Sequence, residues 1–366
     1  MNSARQQLQD LEDHLKTMKI TKRERVKMAV QHVQPDMVPW SIELTDAALA
    51  SMADYYGEPR LSDPKYFSSW VGNHFVRVGP TGKGQFHGLE EQVEPGIWRD
   101  GWGIIWDTRG VYGEGEWGRP INCVLTEPNL ENFEFPEPPS RAEFSHFPSF
   151  IEDNKDKFIL GGAGHLFEVA WALRGIENFF MDMVQHPDFV DELMEGITDY
   201  FLAVIDLAIE FDIDVFAFGD DWGSQSKGLM MGPTHWRRFI KPYLARMFSR
   251  IKEAGKFVYI HSDGQVQAIF DDLIEIGLDI YNPFQPEIMD VYQLKKEYGD
   301  RLCFHGGIGI QDLLVKGSPK QVKAEVQRLI NEVGAGGGYI LSPAHSVLAD
   351  TPAENMAAMI EVFKSQ

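Results

Sequence analysis

A (β/α)8 TIM barrel is the fold that this chain predicts, on three observations. Eight β-rich apolar runs each end in polar or glycine residues. From Val215 onward, strand and helix patterns alternate through short loops, which implies a parallel sheet. The length of 366 residues and the 43% hydrophobic content suit one large core, so we read residues 1–366 as a single barrel domain. A doubly wound open sheet is the competing architecture.

The elements follow in order. Helical spacing covers roughly Arg5 to Met18 and Lys22 to His32, so residues 1–35 read as N-terminal helices that plug the barrel or meet a partner. Met37 to Glu43 reads as the first strand, with a helix from Ala47 to Tyr56 after it, and His74 to Val78 as a second strand. Between residues 88 and 138 the composition changes. Gly, Trp and Glu crowd into Trp98 to Trp106 and Gly113 to Trp117, which predicts an inserted hairpin or lid. Its tryptophans either pack the hairpin onto the barrel or form an aromatic wall over the site.

Phe158 to Gly162 gives the next strand, and interrupted helix runs from Phe167 to Glu210. Strands then fall at Val215 to Phe218, Phe257 to Ile260, Ile280 to Tyr281, Leu302 to Phe304 and Tyr339 to Leu341. Helices separate them at Pro233 to Ala254, Val266 to Ile276, Met289 to Tyr298 and Pro319 to Val333, and a last helix spans Pro352 to Lys364. Ser318-Pro319 marks a helix start, and Gly255 and Gly277 mark two helix ends.

Charge narrows the function. With 34 Lys and Arg against 55 Asp and Glu, the net charge of −21 repels nucleic acid and anionic membranes, leaving a small molecule or a protein as partner. Cys123 and Cys303 stand alone, so neither a disulfide framework nor a sulfur-bound zinc is signalled. No apolar run of membrane-spanning length and no signal region is seen, and the expected setting is a reducing cytoplasm.

Barrel enzymes place their chemistry directly after the strands. The residues found there are Glu43, His165, Asp220, Asp221, His261, Asp263, Asn282, Gln285, His305 and His345. In His261-Ser262-Asp263-Gly264 an i, i+2 pair points to one side, which suits a metal or a histidine oriented by its acid. His261, Asp263 and His345 would give zinc three ligands with one position open, while a capping or buried-backbone role is the plain alternative. Of Asp220 and Asp221, one can face the mouth while the other caps a turn; if both face inward, one holds a proton available for transfer. His305-Gly306-Gly307 could bring backbone amides to a ligand or simply turn the chain.

These segments resemble the uroporphyrinogen decarboxylase superfamily, which also holds cobalamin-dependent methyltransferases. The likeness lies in Gly219-Asp220-Asp221-Trp222-Gly223, Gly232-Pro233 with Ile240-Lys241-Pro242, His261-Ser262-Asp263-Gly264, Phe304-His305-Gly306-Gly307-Ile308, Ser342-Pro343-Ala344-His345 and Thr351-Pro352-Ala353-Glu354-Asn355, and extends to Lys22-Arg23-Glu24-Arg25-Val26. The decarboxylases carry an arginine-rich loop after the first strand. Here Ser41-Ile42-Glu43-Leu44-Thr45-Asp46 stands instead, an acidic loop that disfavours a polycarboxylate porphyrinogen. The methyltransferase branch binds zinc through His-x-Cys-Gly and a later cysteine. His261 keeps the first place, and Asp263 and His345 replace the two thiolates.

The resemblance therefore implies an O-demethylase-like enzyme that moves methyl from a small methoxylated, aromatic donor to a corrinoid on a partner protein. His261, Asp220 and Asp221 would be catalytic. Glu43, Trp222, Gln225, Phe284, Gln285 and His305 would contact substrate, and zinc would sit on His261, Asp263 and His345. A non-porphyrin lyase or decarboxylase and a non-catalytic ligand-binding barrel are the alternatives, and there is room for a homodimer.

Overall fold

The structure, a computed structural model, describes residues 20–81, 89–109 and 118–366. The helix expected at Arg5 to Met18 and the Gly113 to Trp117 segment lie outside them. The first helix, α1 (Lys22–Val30), opens with a capping box in which Thr21 and Glu24 exchange side-chain and backbone bonds. After it come α2 (Asp46–Tyr56) and α3 (Pro64–Val71), each closed by a left-handed glycine. Strand β1 (Phe75–Val78) leads into an antiparallel sheet of β2 (Leu89–Glu94), β3 (Ile97–Asp100), β4 (Ile105–Asp107) and β5 (Arg119–Pro120). The insertion is thus four-stranded rather than one hairpin.

Helix α4 (Phe147–Asp153) precedes β6 (Phe158–Gly164). The long helical stretch resolves into α5 (Leu166–Arg174), α6 (Ile176–Gln185) and α7 (Pro187–Ala208), broken at Gly175 and before Pro187. Strand β7 (Val215–Gly219) is followed by a small ribbon, β8 (Gly223–Ser224) and β9 (Gly228–Leu229). The single helix expected over Pro233 to Ala254 is two, α8 (Gly232–Phe239) and α9 (Lys241–Glu253). The break falls at Ile240 because Pro242 cannot donate within a continuous helix. Alternation continues through β10 (Phe257–His261), α10 (Phe270–Glu275), β11 (Ile280–Phe284), α11 (Val291–Tyr298), β12 (Cys303–Ile308), α12 (Leu313–Lys316), α13 (Pro319–Arg328), β13 (Tyr339–Pro343) and α14 (Ala353–Lys364).

Seven parallel strands run in the order β1-β6-β7-β10-β11-β12-β13. The expected eighth, Met37 to Glu43, is not a regular strand but makes single parallel bridges, Trp40 to Leu341 and Leu44 to Val347. Pro39 has no N–H to give, and on the β1 side the Asn73 side chain replaces a strand partner by bonding both the N–H and the carbonyl of Ile42. With Ser41 N–H on Leu341 and His74 N–H on Trp40, the segment still joins β13 to β1 and closes a TIM-barrel-like ring.

Inside the ring, Phe75, Phe158, Leu160, Val215, Tyr259, Ile280 and Ile340 form a buried cluster with Val26 and Val30 of α1. That helix plugs the N-terminal end, and Arg23 and Lys27 both pair with buried Asp214. A bottom sealed in this way leaves the C-terminal mouth as the place for a site.

Candidate active site

A cavity of about 1120 Å³ occupies that mouth. Strand ends supply its walls, and the inserted sheet supplies one side through Asp100, Gly101, Trp102 and Trp106. Asp100 fixes this insertion by accepting from the N–H groups of Trp102 and Ile104 and from Trp106 Nε1. Trp102 meets Tyr200 of α7 edge-on at 4.8 Å. Trp102 and Trp106 thus serve both readings: they pack the insertion down, and they line the cavity.

The His261 turn owes its shape to two glycines. Gly264 is left-handed at φ 83°, and a Cβ there would collide with the Gly223 backbone, so the β7 and β10 loops touch only because both residues lack a side chain. One ligand atom each from His261, Asp263 and His345 lies within 4.8 Å of the others. The residue that sets the His261 proton is one that the sequence places at a strand end without a role. Asn282 donates through Nδ2 to the His305 carbonyl at 2.9 Å, which turns its Oδ1 to His261 Nδ1 at 2.6 Å. Nδ1 must then carry the hydrogen, and in the neutral ring Nε2, 3.8 Å from Asp263 Oδ1, presents a lone pair.

His345 is set the other way. Its Nδ1 accepts from Ser346 N–H at 2.8 Å, so the neutral ring holds its proton on Nε2. Burial, with His261 nearby, lowers its pKa. For zinc, His261 and Asp263 fit as they stand. Ligands about 2 Å from the ion sit at most about 4 Å apart, and His261 Nε2 and Asp263 Oδ1, at 3.8 Å, already meet that limit. His345 must release the Ser346 amide to ligate through Nε2.

The two adjacent aspartates divide their work. Asp220 is buried and accepts from Phe167 and Glu168 N–H at 2.9 to 3.0 Å, capping α5 from the neighbouring strand because His165, at the cap position, does not. Its pKa is pushed well up by burial and by Glu168, with the amide bonds opposing. It does not line the cavity, and so the catalytic role expected for it gives way to a structural one. Asp221 does line the cavity and accepts from Asp263 N–H at 2.7 Å. Burial raises its pKa to about 6, opposed by His261 and helped by Asp263 and Glu168. Beside it, His165 and Glu168 pair at 2.9 Å on the same wall, with His165 held well below its usual pKa by burial.

On the floor, Glu43 Oε1 accepts from Arg77 Nε at 3.1 Å. Protein encloses the pair, yet more than half of each side chain is open to the cavity. Arg77 lowers the Glu43 pKa, and Glu43 raises that of Arg77. His305 bridges Ser41 Oγ at 2.8 Å and Tyr259 OH at 3.1 Å, and burial depresses its pKa to about 3. Gln285 Nε2 donates to Gln225 Oε1 at 3.2 Å, and both line the cavity.

Two residues expected to contact substrate lie elsewhere. Trp222 is fully buried against Trp236 at 5.4 Å, and Phe284 is fully buried and stacked on Phe304 at 4.1 Å. Strand-end side chains alternate between cavity and outer core, and these two fall on the core side.

The uroporphyrinogen decarboxylase (URO-D) family model matches residues 122–366. The chain is 25% identical over 202 residues to methylcobamide:CoM methyltransferase MtaA of Methanosarcina barkeri, covering 55% of this chain and 56% of that protein. It is 23% identical over 186 residues to uroporphyrinogen decarboxylase of Coxiella burnetii, covering 50% and 49%. The chain thus spans about half the length of these two relatives. A methyltransferase from Methanosarcina mazei superposes with a TM-score of 0.69 at 20% identity over 95% of this chain and 99% of that one, which shows the shared fold.

Proposed function

For a chain that belongs to the uroporphyrinogen decarboxylase (URO-D) family, we propose methyl transfer from a small methoxylated donor, aromatic in kind, to a corrinoid carried by a partner protein. The observation that carries this reading is the meeting of Asp221, His261, Asp263 and His345 at one strand-end mouth above the Glu43–Arg77 pair. Porphyrinogen decarboxylation is disfavoured there, because a polycarboxylate would face Glu43 where arginines are needed and would find Arg77 already engaged.

A bound corrinoid supplies the nucleophilic cobalt that accepts the methyl group. The chain's own task is the leaving group. As the O–CH3 bond breaks, the oxygen keeps the electron pair and needs a proton, and Asp221, raised by burial to a pKa of about 6, is the acid lining the cavity that supplies it from its protonated fraction. Once the oxygen is protonated, His261 Nε2 accepts a hydrogen bond from the resulting hydroxyl. Gln225, Gln285 and His305 orient the ring from the floor and wall. Zinc, on His261, Asp263 and His345, would polarise the same oxygen. Two unpaired cysteines accord with a cytoplasmic setting.

The test is demethylation of a methoxyarene panel by the purified protein with cobalt(I) corrinoid. Corrinoid-dependent release of the phenol is expected, and Asp221→Asn should lower its rate by about 10²-fold or more. Turnover of a carboxylic acid substrate to CO2 without corrinoid would favour a lyase instead.

A further inference from the structure

We infer that the donor taken by this cavity carries a positive charge, an alkylammonium group attached to the methoxylated skeleton. The inference rests on the reading of the cavity as the donor site and names the substrate class. Its basis is the imbalance of charge on the lining. Glu43, Glu168, Asp221 and Asp263 stand on the floor and walls, and Glu137 and Asp350 at the exposed edge. Among the described residues that line the cavity, Arg77 is the single lysine or arginine.

Arg77 does not redress the balance, because Glu43 already holds it. Nor do His165 and His305, since burial lowers the pKa of both and favours their neutral forms. Low-dielectric walls focus such a field, so an anion entering the mouth is repelled and a cation is drawn in. The insertion adds to this selection. Trp102 and Trp106 line the cavity, and aromatic faces attract ammonium groups.

A second observation points the same way. Gln285 is only 5% exposed and lines the cavity, its Nε2 is spent on Gln225, and its Oε1 has no hydrogen-bond partner. A buried acceptor left in this state is costly. A ligand N–H would satisfy it; a carboxylate oxygen would not.

Calorimetric titration of the whole, EDTA-treated protein at pH 7.5 with three matched probes tests this: 4-methoxybenzylammonium, 4-methoxybenzyl alcohol and 4-methoxybenzoate. The ammonium compound should bind at least about tenfold more tightly than the alcohol, with the benzoate weakest. Glu168→Gln should weaken the ammonium several-fold and leave the alcohol unchanged. Glu43→Gln should release Arg77 and let the benzoate gain. Benzoate binding as tightly as the ammonium, or no ammonium binding at millimolar concentration, overturns the inference. Methyl transfer to cobalt(I) corrinoid is scored separately with the same probes. Transfer from the benzoate alone would sink the charge assignment and keep the transferase, whereas the expected binding order with no transfer from any donor would do the reverse.

Discussion

Asp221→Asn should make this protein more stable and less active, and the stability gain should appear only above a definite pH. Burial lifts the Asp221 pKa from 3.8 to about 6. In the unfolded chain the carboxyl ionises near its ordinary value, so between pH 4 and 6 the native state binds more protons than the unfolded state, and stability falls as pH rises. Below about pH 4 both states are protonated and nothing is lost. Above about pH 6 both are ionised, and the rise from 3.8 to about 6 costs as much as about 3 kcal/mol. Asparagine is neutral throughout and can still accept from Asp263 N–H through Oδ1. Urea unfolding of EDTA-treated wild-type and variant protein should therefore coincide near pH 4 and diverge by up to about 3 kcal/mol at pH 7.5, the variant being the more stable. Equal stability at both values, or a variant less stable at pH 7.5, would refute the claim that burial holds a proton on this group.

Asn282→Leu removes the acceptor of His261 Nδ1–H and strands the His305 carbonyl; a loss of about 2 to 4 kcal/mol is expected in urea, and ¹⁵N NMR of the His261 ring should show the Nδ1–H form decline. Acid unfolding should begin early, because His74 and His305, both buried, have pKa values lowered to about 3. Their neutral forms stabilise fully above about pH 6.5, and that stability is lost as pH falls from there towards 3, by up to about 5 kcal/mol for each residue; His305→Gln should flatten this limb in a denaturation series. Trp222→Ala, emptying a fully buried site, should cost about 3 to 5 kcal/mol in thermal or urea unfolding, while Trp222→Phe should leave the donor KM unchanged. Trp102→Phe should raise that KM, since Trp102 lines the cavity.

The residues that were legible in the sequence share a physical reason. A strand end announces itself through the change from apolar to polar, and period-two alternation is strong enough to place His261, Asp263, His305, His345 and Asp221 at one mouth. What the pattern does not carry is which side of the wall a residue faces after the strand has ended, where the alternation no longer constrains it. Trp222 follows Asp221 directly, yet its ring packs on Trp236 in the core. Phe284 stacks on Phe304 because β11 runs on to Phe284, beyond the Tyr281 at which the sequence pattern ends the strand. Asp220 shows a different limit. Its partners are amides of α5, more than 50 residues earlier in the chain, and a cap supplied from a neighbouring strand leaves no local signature.

Residues that tune rather than react were the hardest to find. Asn282 reads in sequence as one more polar residue after an apolar run. Only its orientation, fixed by the His305 carbonyl on one side, gives it control of the His261 proton on the other. Arg77 lies within the strand read at His74 to Val78, and its meaning depends wholly on Glu43 across the floor. The acidic loop had already suggested that porphyrinogen carboxylates are unwelcome. Pairing Glu43 with Arg77 extends that argument from one loop to the cavity, since the single guanidinium among the described lining residues is neutralised from within and the remaining carboxylates set the sign of the field that a donor must enter.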